Sequence, residues 1–441
     1  MNAAAQGSRG GGADLSGRDL TVDLARVACV LLVVVIHVLM VGVGVDASGA
    51  IVTTRPLEGE SWFDAATWFG QIMPLFFVVG GFASATAWAS TRRRGGDAGD
   101  YVRGRLQRLG RPAAGIYVFL AVGLVVATAL GVDAGVLDET AAGIGSPLWF
   151  LAAYGITQLF VPAMAHLQAT RPVVTLIVLF VGGFAVDVVR YQTHVTNIGL
   201  LNLVFVWLFA QQLGFAYAAG WLERARPVVL IVVAAAAYLA MLPLTGSHRW
   251  SANMLVDLNP PMTPLMLLAV AQLCLLRLLR PALARLMQTK AARAVVFLVG
   301  SRGMTVYLWH LPLLIIVNGA LLVVGAPFPD PGSRVWWLTR IPMYLAVIGL
   351  AFAVSLVVGR LEKPPAALPA GRRGPAAWVI AVAAVLLIAP PFAVMLDGLD
   401  LRLAVIGALA LPLGLWLLGR GRPGADAPAR PSEAVVSEFL R

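Results

Sequence analysis

The stretch Asp19-Leu-Thr-Val-Asp-Leu-Ala-Arg-Val-Ala-Cys-Val-Leu-Leu-Val-Val-Val-Ile-His37 decides how the rest of the chain is read. It is apolar enough to cross a bilayer, yet it carries Asp23, Arg26 and His37. Ionisable groups at that depth are costly, so they face a bundle interior or a wet cavity and mark function. In a helix Arg26 and His37 share one stripe, offset by about 20° and separated by roughly 16 Å along the axis. Asp23, three residues before Arg26, can pair with its guanidinium from the same face. A polar seam that only holds helices together is the bland alternative. A central histidine makes poor glue, so the stretch reads as a reaction site.

Composition supports a membrane setting. Of 441 residues, 59% are hydrophobic and only 12% charged, where a soluble protein carries about a quarter charged. Apolar runs of spanning length recur at 20–42, 65–89, 113–131, 147–166, 172–189, 198–220, 227–245, 261–279, 303–325, 338–359, 376–395 and 402–419. The net charge of +11 does not point to nucleic acid, because the basic residues sit in alternate short loops between these runs. With the N-terminus cytoplasmic, Arg92, Arg105, Arg224, Arg285, Arg372 and Arg420 fall inside, while Glu58, Glu60, Asp133 and Glu139 fall outside. This positive-inside asymmetry predicts an all-α polytopic protein of the cell membrane with about twelve spans and both termini cytoplasmic. Cys29 and Cys274 both lie inside apolar runs, so neither a disulfide framework nor a metal-ligand spacing is present in the sequence.

Residues 1–18 and 420–441, rich in Gly, Ala and Pro, read as disordered cytoplasmic ends. The Pro/Arg-rich stretch 361–375 reads as a connector between a ten-span unit (19–360) and a two-span addition (376–419). Within the unit, the segment Tyr101–Pro112 is an expected inner loop in which Arg105, Arg108 and Arg111 recur every third residue. If helical, it presents one cationic ridge, which serves either topology and lipid heads or a bidentate clamp on phosphate. Pro281–Arg293 reads as an amphipathic surface helix. Asp187 and Arg190 are spaced to pair, and Gln211 and Gln212 are either helix glue or cavity lining. His310 follows about two turns, roughly 10 Å, into its span, and with His37 and Arg26 forms a candidate site. His166, His194 and His248 fall at span ends or in loops.

From about Asp23 to Arg360 these segments, in this order, resemble the membrane-bound acyltransferases of acyltransferase family 3. Arg26 and His37 match the family's first-helix pair, and Leu75, Phe76, Phe77, Gly81 and Phe82 match its second-span pattern. Gly80 replaces the family's usual serine there, so no role for that hydroxyl passes to this chain. Arg105 and Arg108 match an Arg-x-x-Arg motif, with Pro112 one position later than the commonest form, and Leu148-Trp149-Phe150-Leu151 and Tyr307-Leu-Trp-His310 match later landmarks. The resemblance implies transfer of an acyl group, acetyl above all, from cytoplasmic acyl-coenzyme A to a hydroxyl of a carbohydrate, glycolipid or small metabolite. On that basis Arg105, Arg108, Arg26 and His310 are the expected donor-binding residues. His37 is the expected general base, since imidazole gives and takes a proton near neutral pH, with Asp23 holding Arg26. A covalent acyl-histidine is the alternative course. The rival from another class is a transporter that uses Asp23, Arg26 and His37 as a proton relay. Against it, no repeat relates the two halves.

Overall fold

The computed structural model describes residues 19–45, 51–247, 249–364 and 372–423. Residues 1–18 and 424–441 of the ends expected to be disordered, 365–371 of the expected connector and His248 lie outside these. The helices are α1 Leu20–Met40, α2 Phe63–Gly70, α3 Met73–Arg93, α4 Ala98–Ala129, α5 Ala134–Gly145, α6 Trp149–Thr170, α7 Pro172–Thr193 and α8 Asn202–Ala218. They continue as α9 Pro227–Gly246, α10 Thr263–Leu286, α11 Lys290–Gly300, α12 Gly303–Val323, α13 Arg334–Val358, α14 Ala377–Asp397 and α15 Leu401–Gly419. Two short antiparallel ladders complete the described residues: β1 Gly42–Val45 with β2 Ile51–Thr54, and β3 Arg372–Arg373 with β4 Arg422–Pro423.

Twelve helical segments among the described residues are long and apolar enough to cross a bilayer, one for each expected span. Their outward faces are bare hydrocarbon. Ile231, Val232 and Leu239 on α9 and Leu338, Ile341 and Leu345 on α13 are uncovered by protein, which lipid tolerates and water does not.

Two boundaries differ from the sequence reading, and both matter for the site. The third span begins at Ala98 rather than near 113, because Asp97 and Asp100 close a reciprocal capping box there. The basic run is therefore the first turns of α4 and not a loop. Pro281–Arg293 is not one surface helix either. α10 runs through Pro281 to Leu286, and after a turn Thr289 caps α11 through the Ala292 amide. α11 buries Val296 and Val299 beside Val27 and delivers the chain to Gly300, where an added Cβ would lie 3.5 Å from Val27 and 3.8 Å from Arg26. α12 thus starts level with Arg26 and Val27, already about 10 Å along α1 from Leu20, and His310 is correspondingly deeper than two turns.

Close contacts set the frame around the site. Where α3 crosses α8, a Cβ on Gly81 would come 2.1 Å from the Gln211 carbonyl oxygen and one on Gly214 2.0 Å from that of Val78. Only glycine allows the two backbones this approach. Gln211 and Gln212 act as glue, donating from α8 to the Thr157 carbonyl and to Gln168 on α6. Asp187 does not use Arg190 as its main partner. It accepts from Asn202, from the Trp250 indole and from both the amide and hydroxyl of Thr263, tying α7 to α8 and to the entry of α10. α14 and α15 pack on α4 and α6: the Tyr117 ring fills the space a side chain at position 407 would need, and Leu387 lies over Gly110.

Candidate active site

Two cavities open toward opposite ends of α1 and α12. The first, about 730 Å³, collects Asp23, Arg26, Arg105, Arg108, Arg293, Arg302, Glu362 and Lys363, and narrows toward Val30, Phe76, Phe150, Tyr154 and Tyr307. Half of these charged residues, Asp23, Arg26, Arg105 and Arg108, are candidates from the sequence, whereas Arg293, Arg302, Glu362 and Lys363 are not. Arg302 and Glu362 lie far apart in sequence, and only the sunken start of α12 brings them together.

The arginines differ in how firmly they are held. Arg26 pairs with Asp23 at 3.5 Å, as the spacing anticipated. Arg105 donates to the Ala83 carbonyl at 3.2 Å and to the Tyr101 hydroxyl at 3.1 Å. Tyr101 in turn donates to Gln158 Oε1, which also receives the Ser84 hydroxyl. Gln158 Nε2 is left buried with no partner, beside a cavity with an excess of cationic donors. Arg108, on the next turn of the ridge, makes no hydrogen bond or ion pair among the described residues. Opposite them, the Glu362 carboxylate accepts from the Met304 and Thr305 amides and the Thr305 hydroxyl, capping a helix start that favours negative charge. Glu362 already occupies those amides, so the arginine side chains are the donors that suit a ligand rich in anionic oxygens.

The second cavity, about 740 Å³, has His37 in its wall together with Val33, Ile36, Trp149, Leu311 and Ile315. At its mouth are Glu139 and the ion pair of Arg55 with Glu58, 2.7 Å long. His310 does not line the Arg-rich cavity with the other expected donor-binding residues. It is 1% exposed and stands edge-on to His37, ring centroids 4.8 Å apart.

Partners assign the protons of this pair. His37 Nδ1 lies 2.8 Å from the Val33 carbonyl oxygen and His310 Nδ1 bonds the Tyr307 carbonyl. A carbonyl only accepts, so each Nδ1 carries hydrogen. His310 Nε2, bare in the neutral ring, then accepts a second branch of the His37 Nδ1–H at 3.2 Å. That leaves the His37 Nε2 lone pair as the basic one. A base oriented through its far nitrogen by a second group follows the logic of the hydrolytic triads. Sequence spacing cannot pair His37 with His310, since they are on different helices; their shared depth in apolar runs is the only signal.

The acyltransferase domain of the acyltransferase 3 family matches residues 19–360, which covers α1 through α13. The chain is a multi-pass membrane protein belonging to the acyltransferase 3 family, and membership in a family of acyltransferases suggests transferase chemistry. No curated protein and no solved structure matches it significantly.

Proposed function

We propose that the protein is an integral-membrane O-acyltransferase that takes an acyl group, in the simplest case acetyl, from cytoplasmic acyl-coenzyme A. The acceptor is a hydroxyl of a carbohydrate, glycolipid or small metabolite. The observation that carries the reading is the division of labour along α1 and α12: a cluster of arginines in one cavity and an oriented imidazole in the other. Loop charge supports assigning the Arg-rich end to the cytoplasm of the cell, with both termini there. Arg105, Arg108 and Arg26 would hold the phosphates of the coenzyme, and the orphaned Gln158 amide offers a further donor. The thioester arm has roughly 16 Å of helix to climb between the levels of Arg26 and His37.

In this reading the acceptor comes from the second cavity. His37 Nε2 takes the hydroxyl proton as its oxygen attacks the thioester carbon; the carbon–sulfur bond breaks, and the proton passes to the departing thiolate. The imidazolium formed meanwhile is stabilised at Nδ1–H by the Val33 carbonyl and His310 Nε2. His310 is therefore a positioning residue for the base. The test is purified protein with labelled acetyl-coenzyme A. Wild type releases free coenzyme, to water or to an added alcohol, and His37→Ala lowers the rate by about 10²- to 10⁴-fold. Turnover near wild type in that variant refutes the assignment.

A further inference from the structure

Among the described residues, Tyr307 alone borders both cavities. Its neighbours in the partition divide between them: Phe150 faces the Arg-rich side and Trp149 the other, as do Phe76 and Met73 one turn apart on α3. The Tyr307 ring is therefore the wall shared by the place where a thioester would arrive and the place where the base stands.

We propose that Tyr307 is the movable partition between the donor and acceptor cavities, and that its closed position keeps the thioester from water on the acceptor side. Its side chain is 5% exposed. The hydroxyl donates to the Pro147 carbonyl at 3.0 Å, holding the ring tip to the turn before α6. The ring leans on Phe150 with centroids 4.8 Å apart, and the Tyr307 carbonyl receives the His310 Nδ1–H. The surrounding rings are held differently. Phe77 stacks on Trp207 at 4.2 Å and Trp149 on the same indole at 5.9 Å, inside the core. Tyr307 is tethered at its tip by one hydrogen bond and its ring otherwise rests on Phe150 and His310, so a swing breaks that bond and these ring contacts while its backbone keeps hold of His310. The chemistry requires such a device. A base able to activate an acceptor hydroxyl also activates water, so a thioester in open contact with the second cavity is hydrolysed. The role in acyl transfer rests on the function proposed above; the partition itself does not.

The experiment places a cysteine at Ile36, on the second cavity, in a Cys29→Ala, Cys274→Ala background. A small membrane-impermeant anionic methanethiosulfonate is then added to oriented vesicles from one side at a time. With Tyr307 intact, labelling is expected from the second-cavity side only. Tyr307→Ala admits the reagent from the Arg-rich side as well. Tyr307→Phe, which keeps the ring and loses the tether to Pro147, gives slower labelling from that side and raises acetyl-coenzyme A hydrolysis about fivefold, the factor carried by one net hydrogen bond. Equal labelling from both sides with Tyr307 intact overturns the proposal, as does protection that survives in both Tyr307 variants. If the labelling pattern follows expectation while no variant consumes acetyl-coenzyme A, the partition stands and the acyltransferase reading falls.

Discussion

Replacing His310 by Phe tests whether the second histidine acts through the first. The substitution keeps a planar ring in a site that is 1% exposed, but removes the Nε2 lone pair 3.2 Å from His37 Nδ1. In the resting state that contact is a second branch of a proton already shared with Val33, so its loss barely affects folding. In the transition state His37 is cationic. A hydrogen bond to a charged group contributes about 1.5–3 kcal/mol, which corresponds to roughly 10- to 150-fold in rate. Because the contact strengthens only as charge develops, the loss belongs in kcat, with the KM for the donor little changed. The assay is release of free coenzyme from acetyl-coenzyme A, normalised to folded, inserted protein. His310→Gln, which restores an acceptor oxygen, recovers part of the rate. Wild-type turnover in His310→Phe, or an equal fall in Phe and Gln variants that both fold, refutes the argument that His310 orients the base.

Changing Arg105 and Arg108 to Gln raises the KM for the coenzyme more than it lowers kcat, since a phosphate clamp acts alike on ground and transition states; the defect shrinks in high salt because screening already weakens the wild type. An unchanged KM returns both residues to a topological role. Truncation after Arg360 leaves an inserted remnant with Arg26, His37, Arg105, Arg108 and His310, and its turnover falls for two reasons visible in the fold. Glu362 no longer caps α12 at Thr305, and the face of α4 around Tyr117 loses α15; full activity per inserted molecule argues against both. Asp257, in the loop between α9 and α10, is fully buried with Oδ2 unpartnered, and burial pushes its carboxyl up to about 7. The folded state then keeps a proton that the unfolded chain releases near pH 4, so stability falls as pH rises from about 4 to 7 and stays reduced above. Asp257→Asn abolishes that slope and raises the thermal inactivation midpoint at pH 8; a midpoint unchanged or lowered at pH 8 contradicts it.

The membrane architecture was legible in the sequence because bilayer spanning is a local property. Each helix satisfies its own backbone hydrogen bonds, so about twenty apolar residues announce a span without reference to any other. The same locality made the Asp23–Arg26 pair predictable, one turn apart on α1, and the cationic ridge of Arg105 and Arg108 once the segment is helical. Where the sequence reading slipped, at Ala98 and at Leu286, a capping box and a tolerated proline carried helices past the end of the apolar run. The site itself required the tertiary structure. Nothing in the spacing of residues 37 and 310 says that the two imidazoles touch. Nor does it say that α12 begins beside Arg26, that Glu362 returns to its first turn, or that Tyr307 stands between two cavities. Those facts come from how separate helices stack, down to two glycines that let α3 and α8 meet backbone to backbone. Depth in a membrane is written in one dimension of the chain, whereas the neighbours found at that depth depend on packing among all the spans.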